Sequence, residues 1–240
     1  MRRVLLTILA AGLSVPLAAC GRQPAPIGAQ APTTPPHAQP EPETAVDPNH
    51  DTRIYVVPAD LEAKVRAGTL RSAVFAGGCF WCMETTFEGV PGVVAAISGF
   101  SGGAVPNPTY EDVGSGMTGH AEAVRAIYDP KVIDYPKLLE LFWHNVDPTQ
   151  SNGQFCDHGN QYRSAVFYGS EAEKAAAEAA RDTLKLDAPI VTEIVPFKAF
   201  YAAENYHQDF FRKQPEHYHA YREGCGRDRR LQALWGVAAH

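Results

Sequence analysis

The stretch from Gly77 to Cys82, which reads GGCFWC, constrains the fold more than any other part of this sequence. The apolar run Ser72 to Ala76 precedes it and predicts a buried strand that ends in a sharp turn at the two glycines. Residues Phe80 to Phe87 then predict a helix, which ends before Gly89 and Pro91. The two cysteines of the stretch therefore lie where a strand becomes a helix.

The sequence from Asp51 to His240 continues to alternate predicted strands with predicted helices. The further strands are expected at Val93 to Ile97, Ala121 to Tyr128, Ser164 to Tyr168 and Ile190 to Val195. The further helices are expected at Tyr135 to Val146, Glu171 to Leu184 and Glu204 to Lys213, with a loop at 99–119 and a loop-rich tail after 213. The chain has 240 residues, 45% of them hydrophobic, so it can bury a substantial core. We expect one α/β (α+β) domain at 51–240, with a mixed β-sheet flanked by helices.

The N-terminal residues carry the pattern of an export signal. Two arginines precede an apolar run from Val4 to Ala19, and Cys20 follows small residues. The ending Leu17-Ala18-Ala19-Cys20 resembles the lipobox of bacterial lipoproteins, in which the cysteine becomes the acylated N-terminus after cleavage. We expect a signal peptide at 1–19 and a lipid anchor on Cys20, with an ordinary secretory signal as the alternative. The run is too short and too interrupted to favour a membrane span.

Residues 20–50 have a composition that does not support a folded core. They are rich in Pro, Ala, Gln and Thr, which is typical of a semi-extended tether. With a lipid on Cys20, this tether would hold a monomeric catalytic domain at a membrane surface that faces the periplasm. The formal net charge is -6 and no dense run of Lys and Arg occurs, which argues against nucleic acid as a partner.

Four cysteines follow Cys20, namely Cys79, Cys82, Cys156 and Cys225. They could form two structural disulfides in an exported protein, although a domain of this size does not need them. A thiol at a helix N-terminus faces unpaired backbone N–H groups and the positive end of the helix dipole, which favours the thiolate. Cys79 is at that position and Cys82 lies about one turn further in, so we take Cys79 as the candidate nucleophile.

The Cys79–Cys82 pair could also have a function other than nucleophilic catalysis by Cys79. Met83, not histidine, follows the second cysteine, which disfavours a c-type haem. Zinc would need a second ligand pair such as Cys156 with His158, and the two intervening aromatic residues suit a zinc knuckle poorly, so no metal is expected. A thioredoxin-like dithiol that acts on protein disulfides is a stronger alternative. A non-catalytic binding module is the alternative from another functional class.

A series of motifs resembles the A-type peptide methionine sulfoxide reductases, whose usual signature is GCFWG. The motifs occur in family order at Gly78 to Cys82, Gly99 to Gly103, Asn107 to Tyr110, Gly119 to Val124, Asp147 to Gln150, Asp157 to Gly159, Gln161 to Ser164 and Ala203 to Gln208. Cys82 replaces the second glycine of the usual signature. The resemblance implies the ferredoxin-like fold of that family. It also implies thiol-dependent reduction of methionine S-sulfoxide, free or within proteins.

The resemblance assigns roles to the matched residues. Cys79 would attack the sulfoxide sulfur, and Glu122 would protonate the departing oxygen. Glu122 can be a proton donor near neutral pH only if burial raises its pKa. Tyr110 and Tyr162 would donate hydrogen bonds to the oxygen, with Asp157 supporting the site.

Phe80 and Trp81 would form the walls of a pocket for the ε-methyl group of the substrate. A thioether gains from contact with aromatic rings, which suits this assignment. The alternative explanation of Glu122 is a solvent-facing strand residue. The alternative explanation of Tyr110 and Tyr162 is that they pack in the hydrophobic core or at the rim of the core.

After oxygen transfer Cys79 would be a sulfenic acid, with which a second thiol must condense. Cys156 precedes a matched site residue and Cys225 lies in a glycine-flanked tail, so both are candidates for the resolving thiol. Cys82 ranks third, because its sulfur would have to leave helical geometry to form a good disulfide. No bound cofactor is expected. The export signal favours a periplasmic thioredoxin-like carrier as the external reductant.

Overall fold

The structure is a computed structural model that describes residues 50–236. The predicted signal peptide at 1–19, the predicted lipid anchor Cys20 and nearly all of the tether lie outside the described residues. All described residues belong to one unit of the chain, 43–240. Between residues 50 and 236 we find no helix with the length and apolar character needed to span a bilayer.

The strands and helices of the described part are numbered in chain order. The strands are β1 (Arg71–Gly77), β2 (Val93–Ser101), β3 (Ala121–Tyr128), β4 (Gly153–Gln154), β5 (Asp157–His158), β6 (Ser164–Tyr168), β7 (Glu193–Pro196) and β8 (Phe200–Ala202). The helices are α1 (Ala59–Arg66), α2 (Phe80–Phe87), α3 (Tyr110–Gly114), α4 (Tyr135–Trp143), α5 (Glu171–Thr183), α6 (Phe210–Lys213), α7 (Pro215–Gly224) and α8 (Arg227–Trp235).

One mixed sheet organises the domain, with the strand order β7-β6-β1-β3-β2-β8. Its neighbouring strands are antiparallel except for β6 and β7, which are parallel. The central strands β6-β1-β3-β2, with α2 after β1 and α4 after β3, form the βαββαβ arrangement of ferredoxin-like folds. The predicted fold class is therefore confirmed. The short strands β4 and β5 pair separately from the main sheet.

The main core lies between this sheet and the helices α2 and α4. Phe75 of β1 stacks on Phe87 of α2 and on Phe142 of α4, with ring centroids 5.1 and 5.2 Å apart. Leu138 and Leu139 are fully buried in α4, one turn before Phe142. This helical spacing places the apolar side chains on one face of α4, which packs on the sheet. The core thereby fixes α2 against β1.

The turn between β1 and α2 requires both of its glycines. A Cβ on Gly77 would lie 2.5 Å from Met83 Sδ. Gly78 has a φ of +83°, and a Cβ there would lie 2.6 Å from Gln154 Cβ. The chain can therefore reverse within two residues, which makes Cys79 the N-cap of α2.

The segment Glu204 to Lys213 is not the single helix that the sequence predicts. It contains a 3₁₀ turn at Asn205–His207, and only α6 is α-helical. Between them Asp209 has a φ of +52°, in the left-handed region, and its N–H donates to Glu84 Oε1. This prediction was wrong because tertiary hydrogen bonds override local helix propensity here.

The tail after Lys213 is not loop-rich, because it forms α7 and α8. Pro215 starts α7 at a position where its missing N–H carries no cost, and Gly226, with a φ of +70°, separates the two helices. Tyr218 of α7 and Leu231 of α8 are buried. The tail is thus part of the packed domain.

Smaller differences concern the ends of elements. Strand β2 continues through Gly99 to Ser101, and α3 lies within the predicted loop. Thr109 and Asp112 start α3 with a reciprocal capping box, a local helix signal inside the predicted loop. Strand β7 begins at Glu193, three residues later than expected, and α4 ends at Trp143.

Candidate active site

A small cavity of about 60 Å³ opens beside the first residues of α2. Its lining consists of Cys79, Phe80, Trp81, Tyr110, Glu122, Asp157, Tyr162 and Tyr221. The structure therefore brings together all the residues to which the sequence assigns catalysis or substrate binding, and it adds Tyr221. A larger cavity of about 630 Å³ along α7 and α8 holds none of the predicted residues, so its size alone does not make it the candidate site.

Glu122 is buried against the start of α2. Its side chain extends from β3, where it pairs with Phe100 of β2, and the residue is 3% exposed. Its Oε2 accepts a hydrogen bond of 2.9 Å from the backbone N–H of Phe80, one of the unpaired donors at the helix start. Burial raises the pKa of Glu122 to about 8, and nearby Asp157 and Cys82 act in the same direction. The carboxyl group is therefore protonated at neutral pH, and the alternative of a solvent-facing residue is excluded.

Two phenol groups face the same cavity. Tyr110 starts α3, Tyr162 ends the 3₁₀ turn after β5, and both residues line the cavity. Burial raises the pKa of both hydroxyls, and the Glu122 carboxyl adds to the effect. Both tyrosines therefore remain O–H donors across the physiological pH range.

Asp157 connects the start of α2 to the C-terminal helices. Its carboxylate accepts a hydrogen bond from the hydroxyl of Tyr221, and it lines the cavity together with Cys79. Burial raises the pKa of Asp157, against the lowering effect of Tyr221 and Arg227. Asp157 therefore holds α7 against the cavity.

Cys79 and Cys82 are both free and buried, and they lie about one turn apart at the start of α2. Burial raises the pKa of Cys79, and the neighbouring Cys82 and Glu122 add to this effect. Interaction with the neighbouring Cys79 thiol lowers the pKa of Cys82 to about 6, with Arg227 and Arg222 as further causes. Of the two thiols, Cys82 is therefore the more acidic, and burial opposes the thiolate that the helix dipole alone would favour on Cys79.

The remaining cysteines, Cys156 and Cys225, form a disulfide with each other. Cys156 is exposed, and its Sγ lies 3.7 Å from Oδ1 of Asp157. Cys225 is the C-cap of α7, so it is not part of a flexible tail as predicted. The disulfide fastens the end of α7 beside a residue of the cavity.

Phe80 and Trp81 supply an aromatic wall. The ring of Trp81 stacks on Phe210 with centroids 3.7 Å apart, and that of Phe80 lies 5.8 Å from Phe100. The indole Nε1–H of Trp81 donates to Nδ1 of His207 at 3.1 Å. The wall is therefore held by packing and by one directional hydrogen bond.

Sequence reasoning missed three residues around the cavity. His207 lies within a matched motif but received no role. Tyr221 and Arg227 lie in the tail that the sequence predicts to be loop-rich. The signal for Tyr221 was present, because Tyr218, Tyr221 and Arg222 repeat at helical spacing after a proline.

Comparison with known proteins decides the family. A family model described as peptide methionine sulfoxide reductase matches residues 71–238. The chain belongs to that family. The peptide methionine sulfoxide reductase MsrA of Bacillus subtilis (strain 168) is 49% identical over 169 residues, which cover 69% of this reductase and 96% of the relative. MsrA 2 of Caulobacter vibrioides is 52% identical over 169 residues, with coverages of 69% and 85%.

Solved structures agree with the family. Reduced Mxr1 from Saccharomyces cerevisiae is 33% identical with a TM-score of 0.59, covering 62% of the reductase and 88% of Mxr1. Methionine sulfoxide reductase A of Corynebacterium diphtheriae is 33% identical with a TM-score of 0.55, covering 61% and 76%. The fold and the enzyme class predicted from the sequence are confirmed. The reductase is an oxidoreductase that reduces methionine sulfoxide in a thiol-dependent reaction.

Proposed function

We propose that the cavity at the start of α2 reduces the S epimer of methionine sulfoxide, free or within proteins, with Cys79 as nucleophile. The observation that carries the proposal is the buried carboxyl of Glu122. It is protonated at neutral pH and bonded to the N–H of Phe80, the residue after the nucleophile. A soft nucleophile and a proton donor thus face one small cavity, which is what sulfoxide reduction requires.

The first step moves two electrons from Cys79 to the substrate. Cys79 Sγ bonds to the sulfoxide sulfur while its proton passes to the thiolate form of the neighbouring Cys82, the more acidic thiol of the pair. Glu122 gives its proton to the sulfoxide oxygen, and the hydroxyls of Tyr110 and Tyr162 donate hydrogen bonds to it. The oxygen passes to Cys79 as the thioether leaves, so the products are methionine and a Cys79 sulfenic acid.

The aromatic wall explains selectivity for a methyl sulfoxide. Phe80 and Trp81 would bind the ε-methyl group, because sulfur and its methyl group gain from contact with aromatic rings. The donors Glu122 and Tyr110 line the same cavity. With the methyl group and the oxygen both fixed, only one configuration at sulfur presents its lone pair and chain correctly. This agrees with the division of one enzyme per epimer.

Recycling would use the disulfide between Cys156 and Cys225. An external dithiol first reduces it to two thiols and leaves as a disulfide. The Cys156 thiol then condenses with the Cys79 sulfenic acid and releases water. Finally Cys225 attacks Cys156, which restores the Cys79 thiol and the observed disulfide. We propose a thioredoxin-like periplasmic carrier as the dithiol, because the exposed Cys156 is accessible to a protein partner.

An epimer-resolved assay tests the proposed function. Dabsylated methionine S-sulfoxide and R-sulfoxide are incubated separately with the reductase and excess dithiothreitol, and the methionine formed is measured by chromatography. We expect rapid loss of the S epimer and no enzymatic loss of the R epimer. Preferential consumption of the R epimer, or reduction of insulin disulfides in place of either sulfoxide, would contradict the proposal.

We also propose that the reductase is an exported, membrane-anchored monomer. The support is the sequence alone: the signal peptide at 1–19, the lipobox before Cys20 and the Pro-rich tether at 20–50, followed by the catalytic domain at 51–240. Cells expressing the full chain should incorporate labelled palmitate into the reductase. The Cys20→Ala variant should incorporate none and move to the soluble fraction. Equal labelling of the two chains would refute the lipid anchor.

A further inference from the structure

We infer that His207 and Glu204 form a positioning pair that holds the methyl-binding wall and the oxygen-binding side of the cavity in register. This inference rests on the proposed function, since it assigns a purpose to two buried polar residues that the reaction itself does not use. Both belong to the short segment around the 3₁₀ turn Asn205–His207.

His207 lies directly behind the cavity. Its side chain is 1% exposed, and its ring centroid lies 4.8 Å from that of Phe80 and 4.3 Å from that of Tyr110. Its Nδ1 accepts the 3.1 Å hydrogen bond from the indole of Trp81. One imidazole therefore touches three side chains that line the cavity, although it does not line the cavity itself.

The hydrogen bond to Trp81 fixes the tautomer of His207. An indole N–H can only donate, so Nδ1 must carry a lone pair, and a neutral imidazole must then carry its proton on Nε2. Burial lowers the pKa of His207 to about 3, so the ring is neutral wherever the reductase works. The protonated form would point an N–H at the indole and break this contact.

Glu204 faces the proton on Nε2. Its Oε2 lies 4.0 Å from Nε2 of His207, which is too long for a hydrogen bond, yet both atoms are buried and neither has another partner within residues 50–236. A donor thus faces an acceptor, and a small side-chain rotation closes the gap. The other oxygen, Oε1, accepts a hydrogen bond of 2.9 Å from the backbone N–H of Tyr110.

The two residues therefore connect two parts of the cavity lining, Trp81 and Tyr110. Through His207 the pair sets the plane of Trp81, which would contact the methyl group. Through Glu204 it anchors the first residue of α3, Tyr110, whose hydroxyl would bind the oxygen. Neighbouring Gln208 locks this segment to β2, because its side chain bonds to both the N–H and the C=O of Ser98 at 2.9 Å. Such buried supporting hydrogen bonds are what hold a site within the tolerance that catalysis needs.

Two matched substitutions test the role of His207. His207→Phe keeps a ring of similar size but removes the acceptor, whereas His207→Asn keeps an acceptor near the position of Nδ1. His217→Phe is the control, because exposed His217 also has its ring 5.9 Å from that of Trp81 but makes no hydrogen bond to the indole.

The first measurement does not depend on turnover. In a ¹⁵N–¹H spectrum, the indole signal of Trp81, assigned with Trp81→Phe, should shift upfield in His207→Phe because its hydrogen bond is lost. The signal should keep its wild-type position in His217→Phe. It should stay close to that position in His207→Asn, because the acceptor is kept. Glu204→Gln places a donor opposite Nε2 and should move the signal in the same direction as His207→Phe. An unchanged indole signal in His207→Phe or Glu204→Gln would overturn the pairing, whether or not the sulfoxide assay succeeds.

The second measurement uses the reaction. Leaving a buried indole N–H without a partner should lower kcat/KM for methionine S-sulfoxide by about tenfold in His207→Phe, mainly through KM. The preference for methionine sulfoxide over ethionine sulfoxide should also decrease in His207→Phe. His207→Asn should restore most of the kcat/KM and most of the preference. A general structural defect would instead lower kcat for both substrates equally, and that outcome would contradict a positioning role.

Discussion

Replacing Cys79 with serine should lower the turnover of methionine S-sulfoxide by at least about four orders of magnitude, the scale on which loss of a covalent nucleophile acts. A serine hydroxyl is a hard, weakly acidic group and does not attack sulfur, so the first step has no substitute nucleophile. The measurement is methionine released in a single turnover by the fully reduced protein. Stoichiometric methionine from Cys79→Ser would remove this residue from the mechanism.

The chain provides a matched control for that experiment. Cys82→Ser makes the same chemical change at the start of the same helix, and both cysteines are buried. This variant keeps the nucleophile but loses the thiolate that would receive its proton. We expect a slower first step that still yields one methionine per chain.

Replacing Glu122 with glutamine should be the second-largest loss, with a fall of about 10²- to 10⁴-fold in the first step. The amide preserves the volume and the oxygen that accepts from the N–H of Phe80, so the fold should be kept. It has no acidic proton for the departing oxygen, so the variant isolates proton donation from binding. A rate within tenfold of the wild type would show that another group is the proton donor.

The pH dependence gives this assignment an independent test. The proton-donating form of Glu122 predominates below its pKa of about 8, so the wild-type rate should fall as the pH rises through that value. The accepting form of Cys82 predominates above its pKa of about 6, so the rate should rise through that value. The coupled groups should therefore give a bell-shaped profile with two apparent pKa values. Single-turnover rates of Glu122→Gln should lack the alkaline fall, and an unchanged fall would contradict the role of Glu122.

The site residues could be predicted from the sequence where they lie in contiguous motifs. Cys79, Phe80 and Trp81 follow an apolar strand and a glycine pair, so both their position and their chemistry can be read locally. Glu122 lies between two alanines in a mostly apolar strand, and the structure shows it buried, as the proposed role requires. The central strands were predicted for the same reason, since their apolar runs need no tertiary information.

The predictions were wrong where contacts between residues far apart in the sequence determine the local structure. The helix predicted at Glu204 to Lys213 is broken because Asp209 donates to Glu84, a residue far away in sequence. The pairing of Cys156 with Cys225 could not be deduced, because spacing alone does not fix disulfide connectivity. Sequence alone also does not show which distant charged groups shift the pKa of a given side chain. The lowered pKa of Cys82 depends partly on guanidinium groups from α7 and α8, in a region that the sequence predicts to be loop-rich.

The central claim is that the oxygen of the sulfoxide passes to Cys79. The most direct test uses a variant in which Cys82, Cys156 and Cys225 are all serine, so that no thiol can resolve a sulfenic acid. This protein is mixed with one equivalent of methionine S-sulfoxide and dimedone, and its peptides are mapped by mass spectrometry. We predict one methionine per chain and a dimedone adduct on Cys79. Methionine formed without an adduct on Cys79, or with the adduct elsewhere, would contradict the mechanism.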